Sequence, residues 1–260
     1  MHTNPILIPI RQPAPVCEGC RSSKPLGIEF EYAYQPIVRL STRSIFAHEA
    51  LVRGPRGESA WSVLSQVTEE NRYAFDQACR VKAVRTAKCI GMTELLSINF
   101  MPNAVYEPAA CIRTTFEACR ESGFPTEQIM FEVTEGERVA DHAHLIKIFQ
   151  SYRKFGFSTA IDDFGAGYAG LNLLSGFQPD VIKIDMDLVR GVDADPVRQA
   201  IIRGISLTCS LIGSQVVAEG VETKAERDCI ASLGIDLIQG YLFSKPAFQA
   251  LGKIDPDAWL

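Results

Sequence analysis

From residue 28 onward the chain alternates between two spacings of apolar residues. Short runs with strand-like pattern, "EYAYQPIVRL" and "SIFAHEALVR", come first, separated by a polar turn around Ser41–Arg43. Two β-prone runs joined by so short a turn predict an antiparallel hairpin. "SAWSVLSQVT" and "RYAFDQACRVKAVRTAKCI" follow and predict helices. Six further apolar runs come next: "LLSINF", "IMFEVTE", "FSTAIDDF", "DVIKIDM", "QVVAEGV" and "LIQGYLF". Helical stretches such as "HAHLIKIFQSYRKFG" and "PVRQAIIRGISLTCSLIG" lie between them. Repeated β–α units imply a parallel sheet covered by helices, and eight strands over this length predict a (β/α)8 barrel. The hairpin makes its first strand run against the others. The alternative, an open doubly wound sheet, lacks its usual companion, because no GxGxxG turn follows any strand.

Composition narrows the field. Of 260 residues, 47% are hydrophobic and 22% charged, the proportions of a globular chain. The formal net charge of −5 provides no global basic field, so a polymeric nucleic acid is not the expected partner. The start, "MHTNPILIPIRQPAP", has neither a basic region nor a long apolar one and does not read as a signal peptide. No apolar run approaches the roughly 18–20 residues of a membrane-spanning helix. Eight cysteines in such a chain fit reduced thiols and a cytoplasmic location. Residues 1–27 are rich in proline and read as a loosely ordered arm, leaving 28–260 for the barrel. The arm holds a CxxC pair, Cys17 and Cys20; a zinc site wants four ligands, so two spare thiols are the expected reading, with a site shared between two chains or a redox pair as the alternatives.

In a barrel of this kind the chemistry sits where the strands end. The second strand ends near Glu49, the third carries Asn99, the fourth Glu132, and the fifth the adjacent pair Asp162 and Asp163. The sixth carries Lys183, with Asp185 two positions on; the seventh carries Glu219, followed by Glu222; the eighth carries Gln239. One polar residue inside an apolar run is a curiosity, because an unpaired buried charge is costly. Seven consecutive strands with the same habit need a common cause. Converging carboxylates repel one another, and cations resolve that. Carboxylates with an Asn carbonyl are hard oxygen ligands suited to Mg²⁺ or Mn²⁺. No His or Cys stands at a strand end, which argues against zinc. His48 adjoins Glu49 but should face the other way, so it is expected to pack. For Asp185, Glu135 or Glu222 taken singly, a helix cap or an ion pair explains the residue equally well.

These residues carry a resemblance. "YQPIV", "HEALVRG", "SINF", "FEVTE", "AIDDFGAGYAGL", "VIKID", "VVAEGVET" and "IQGYLFSKP" resemble, in order, the motifs of the EAL-domain cyclic di-GMP phosphodiesterases, over about residues 30–248. The resemblance implies a TIM-like barrel with an antiparallel first strand. It implies that Glu49, Asn99, Glu132 and Asp162 bind one divalent ion, and that Asp162 bridges to a second held by Asp163 and Glu219. Lys183 would hold the attacking water. Glu222 would support the site and substrate, and Gln239 would contact water or substrate. Gln35 and Arg53 match positions that touch the cyclic dinucleotide, and Glu135 matches the anchor of the loop after Asp163. The implied reaction is hydrolysis of cyclic di-GMP to linear 5′-pGpG with two Mg²⁺ or Mn²⁺ ions; Ca²⁺, with its larger radius and looser coordination, is expected to misplace the water and inhibit. It also implies a homodimer using the helix after the Asp163 loop, although residues 169–176 would equally suit internal packing. Two departures stand out: Ala166 and Ala169-Gly170 replace hydroxyl residues of the commoner loop, and "GPRGES" follows Arg53. The rival readings are a silent barrel that binds cyclic di-GMP or a regulatory protein partner, and a hydrolase of another phosphodiester.

Overall fold

The computed structural model of the protein describes residues 26–134, 142–167 and 170–260. The arm apart from Leu26 and Gly27, with Cys17 and Cys20, therefore lies outside the described residues, as does Glu135. The hairpin forms as expected: β1 (Glu31–Arg39) pairs antiparallel with β2 (Ser44–Arg53). Strands β3 (Leu95–Asn99), β4 (Ile129–Thr134), β5 (Ser158–Phe164), β6 (Val181–Ile184), β7 (Gln215–Ala218) and β8 (Leu237–Gln239) follow in parallel, each beside its predecessor. The ring closes where Ile37–Arg39 of β1 pairs antiparallel with Leu237–Gln239 of β8. A short β9 (Ala247–Phe248), not expected from the sequence, pairs with Ala33–Tyr34 and prolongs the same edge of β1.

Helices wrap the ring: α1 (Ala60–Leu64), α2 (Arg72–Cys89), α3 (Arg113–Ser122), α4 (His142–Lys154), α5 (Gly170–Gly176), α6 (Met186–Val189), α7 (Pro196–Ile212) and α8 (Lys224–Ser232). The expected helix over 59–68 stops at Leu64. There the Asn71 side chain accepts from the Thr68 N–H and donates to the Gln66 carbonyl, giving the backbone an alternative to another helical turn. The start of α8 is a full capping box, Thr223 with Glu226. None of the described helices is long and apolar enough to cross a membrane.

The barrel interior explains the polar strand ends. Ile37, Ala47, Met130, Ala160, Val181, Val217 and Leu237 form one buried apolar cluster. Successive side chains on a strand alternate faces, so positions two apart share one. Two residues further toward the mouth on each strand stand Gln35, Glu49, Glu132, Asp162, Lys183, Glu219 and Gln239. Dry packing thus fills the lower barrel, and the layer directly above it is ionic.

Candidate metal and phosphodiester site

Lys183 is the hub of that ionic layer. Its ammonium, fully buried on β6, lies 2.8 Å from Glu219, 3.1 Å from Asp162 and 3.3 Å from both Glu49 and Glu132. Around it, Asn99 Nδ2 donates to Glu49 (3.0 Å) and Glu132 (2.8 Å), Ser97 donates to Glu132 (2.6 Å), and Gln239 Nε2 donates to Glu49 (2.8 Å). The side-chain oxygen of Gln239, Oε1, is buried with no hydrogen-bond partner. Ser97 was not singled out from sequence, though it sits two residues before Asn99 and so on the same face.

The adjacent aspartates both reach the mouth because β5 is bulged. Ile161 pairs with Ile182, but the next matched pair is Phe164 with Ile184, so β5 carries an extra residue. Asp163 takes a left-handed backbone, φ +53°, a conformation Asp tolerates better than most residues, and its N–H donates to Asp162 Oδ1 (2.9 Å). The strand continues through Phe164, and the bulge redirects the second carboxylate. Gly165 follows at φ +103°, where a Cβ would lie 2.6 Å from Leu188.

Five carboxylates around one ammonium leave an excess of negative charge. Burial alone would lower the Lys183 pKa, but Asp162, Glu132, Glu219 and Glu49 together hold it well above the ordinary lysine value. Burial drives Glu132 and Glu219 well above the usual carboxylate range, and neighbouring acids add to this against the pull of Lys183. Burial also pushes Glu49 up, but Lys183 and the Gln239 hydrogen bond outweigh it and hold this carboxyl low. Asp163 rises to about 6, through burial and then the charges of Asp162 and Asp185. Without cations, the cluster relieves its own repulsion by retaining protons.

The donor set fits divalent cations. Oxygens of Glu49, Glu132 and Asp162 lie within 4.8 Å of one another, and so do those of Asp162, Asp163 and Glu219; Asp162 belongs to both groups. All are hard oxygen donors, and the partnerless oxygen of Gln239 adds another acceptor beside them. His48 stays out of the set. It is fully buried, its nearest acid is Glu94 at 3.7 Å, and burial lowers its pKa so that it stays neutral.

Above the cluster opens a cleft of about 180 Å³ lined by Gln35, Asp185, Glu222, Arg190 and Tyr241 among others, with Glu49, Asp163, Glu219 and Gln239 at its base. Gln35 is cross-strand from Glu49 and donates to the Ser244 carbonyl (3.2 Å). Glu222 pairs with Arg190 at 2.8 Å. Asp185 caps α6, accepting from the Asp187 N–H, so its cap role is realised in a residue that also lines the cleft. Arg53 does not line this cleft. It lines a larger, mostly apolar cavity of about 330 Å³ with Tyr32, Phe75, Met101, Asn99 and Thr134, and donates to the Val52 carbonyl.

A closed barrel with one reversed strand, carrying carboxylates and a lysine at successive strand ends, is the architecture on which comparison with known proteins converges. The EAL domain family matches residues 24–246, and the chain belongs to that family. A standalone versatile EAL protein from Vibrio cholerae O395, solved in its c-di-GMP bound form, is 51% identical with a TM-score of 0.87; the match covers 90% of this chain and 99% of that one. Klebsiella pneumoniae BlrP1, solved as manganese/cy-diGMP and calcium/cy-diGMP complexes, is 36% identical with a TM-score of 0.82, covering 88% of this chain and 58% of that one. The blue light- and temperature-regulated antirepressor BluF of Escherichia coli is 33% identical over 233 residues, 89% of this chain and 57% of that protein. Other matched relatives are named cyclic di-GMP phosphodiesterases. The chain spans little more than half the length of BluF.

Proposed function

We propose that this chain is a metal-dependent phosphodiesterase that hydrolyses cyclic di-GMP to linear 5′-pGpG. The observation that carries the reading is the pair of three-carboxylate groups sharing Asp162 around the buried Lys183. Glu49, Asn99, Glu132 and Asp162 would hold one Mg²⁺ or Mn²⁺, and Asp162, Asp163 and Glu219 the other. Asn99 would turn its amide over to present oxygen in place of the nitrogen that now faces Glu49 and Glu132. When bound, the two ions supply Lewis acidity toward a phosphate oxygen and water made acidic enough to attack near neutral pH.

The chain's own groups supply the rest. Lys183 keeps its proton against four carboxylates, so it acts as a hydrogen-bond donor that orients the attacking water, not as the base. Gln239 fixes Glu49 through its amide nitrogen and offers its free oxygen to water or substrate. Water attack in line with the 3′-ester forms a new P–O bond and breaks the P–O3′ bond; the 3′-oxygen leaves and takes up a proton. Gln35, Glu222 and Arg53 would contact the cyclic dinucleotide, Arg53 by a charge-assisted bond to phosphate. Glu135 would anchor the loop after Asp163. Ca²⁺, larger and looser in its coordination, is expected to occupy the site and inhibit.

A second reading, a barrel that binds cyclic di-GMP without cleaving it and acts on a protein partner, is favoured by the likeness to an antirepressor; the complete acidic set favours hydrolysis. We further infer a cytoplasmic homodimer. Leu171 on α5 and Val197, Ile201 and Leu211 on α7 are exposed apolar residues. Ile201 and Leu171 border a shared groove, and a second copy would cover it.

The test is incubation with cyclic di-GMP and Mg²⁺ or Mn²⁺, repeated with Glu49→Ala. Linear product from the wild type and none from the variant supports hydrolysis. Tight binding by a folded wild type that yields no product selects the sensor reading.

A further inference from the structure

Arg190 is the one cation among the described residues lining the acidic cleft. The remaining charged groups there are Glu49, Asp163, Asp185, Glu219 and Glu222, and Lys183 lies buried beneath them. Among the described lining residues, Arg190 is the exposed positive group that an anionic ligand entering this cleft meets. The arginine is about half exposed and pairs with a half-exposed Glu222 at 2.8 Å. Ion pairs so placed contribute little, so the guanidinium is readily exchanged onto a better acceptor. Phosphate is such an acceptor, because the planar fork of an arginine matches two of its oxygens.

The backbone under this pair is held firmly. One carboxylate, Glu226, accepts from the Gly191 N–H (2.9 Å) on the Arg190 side and from the Glu222 N–H (3.0 Å) and Thr223 N–H (3.1 Å) on the other. Arg198 donates to the carbonyls of both Asp187 and Arg190. A weak, replaceable ion pair thus stands on a fixed base, which keeps the ordering cost of binding low.

Strand order gives the geometry its meaning. Arg53 ends β2, and Arg190 follows β6 through α6. In a ring of eight strands in the order found here, β2 and β6 are four apart and stand on opposite sides of the mouth. A cyclic dinucleotide carries two phosphodiesters on opposite sides of its ring.

We propose that Arg190 is a second phosphate-recognition residue, which leaves Glu222 to bind the non-reacting phosphodiester of the cyclic dinucleotide. The inference rests on the cyclic di-GMP reading above and adds the group that grips the far phosphate.

The experiment compares wild type, Arg190→Gln and Arg190→Lys by calorimetric titration with cyclic di-GMP in Ca²⁺ and by turnover in Mn²⁺. Arg190→Gln should weaken binding and raise KM about tenfold or more, with kcat falling no more than about threefold and Tm unchanged. Arg190→Lys, which keeps the charge but loses the fork, should fall between. Wild-type binding and turnover together with an unchanged KM and Kd in Arg190→Gln would overturn the inference while leaving the phosphodiesterase reading intact. A fall in kcat as large as the rise in KM would also overturn it, by placing the residue at the reacting phosphate or in a purely structural role. A wild type that neither binds nor cleaves cyclic di-GMP would remove the functional reading, and this inference with it.

Discussion

Two buried charge networks lie a few residues apart, and they are built on opposite terms. Behind the barrel wall, Arg80 of α2 is fully buried with one acid, Asp76, at 2.7 Å. Its guanidinium sits 5.2–5.5 Å from the rings of Phe100, Phe131 and Tyr152, and it donates to the Tyr152 hydroxyl. Asp76 also accepts from the Met101 N–H at 2.9 Å. One cation meets one anion, and the pair secures the chain just after Asn99 while packing against the neighbours of Asn99 and Glu132. At the mouth, one ammonium meets four carboxylates within 3.3 Å, and Asp163 adds a fifth acid nearby. Burying charge is expensive unless it is matched. The matched network behaves as structure. The unmatched one marks a place whose remaining partners come from outside.

That contrast can be broken most severely at the mouth. Glu49→Ala or Asp162→Ala should lower turnover by about a thousandfold or more, roughly 4 kcal/mol of barrier, with the far-UV dichroism spectrum retained; a drop of less than tenfold would put the chemistry elsewhere. Next in size, Arg80→Met strands Asp76 without its partner. It should cost about 3–5 kcal/mol of stability, read as a melting point lower by about 10 °C, and an unchanged melting point would contradict the structural role. The two networks should then differ in sign. Asp163→Asn removes a charge from the crowded cluster, so in chelator the variant should melt at or slightly above wild type while losing activity. Clear destabilisation there would mean the acids are already balanced.

The smallest effect concerns Glu226, whose carboxyl is held below the usual range. Burial opposes this, but the Gly191, Glu222 and Thr223 N–H groups outweigh it. A depressed carboxylate contributes stability above its unfolded pKa and loses it as pH falls through the folded value. The melting-point gap between wild type and Glu226→Gln should therefore be present at pH 7, about 1 kcal/mol in size, and close as pH falls below about 4. A gap that is constant with pH would rule out the charge as its origin.

The sequence was most legible where period-two alternation met an expensive residue. Glu49, Glu132, Asp162, Lys183, Glu219 and Gln239 stand out because each is polar inside an apolar run, and the same spacing places them in one layer above the apolar barrel floor. The bulge at Asp163 was not legible, since it is a property of pairing with β6 and leaves only the Asp-Asp doublet as a trace. Arg190 escaped because it lies after a strand rather than in it, and its partner Glu222 is distant in sequence. Glu226 had a readable local signal, the T-x-x-E of a capping box, but its hold on the Arg190 loop is tertiary. Arg53 was legible as a position, not as a neighbour: the fold sets it against an apolar cavity beside Asn99.

The most direct test of the unmatched charge is a count of bound cations. Metal-free protein is titrated with Mn²⁺ in the presence of cyclic di-GMP, and bound ions are read from the loss of the free Mn²⁺ resonance, for wild type and for Asp163→Asn. The expected result is two ions per wild-type chain, with one lost in the variant. A folded wild type that binds no Mn²⁺ at millimolar concentration would contradict the claim that the excess carboxylates await metal.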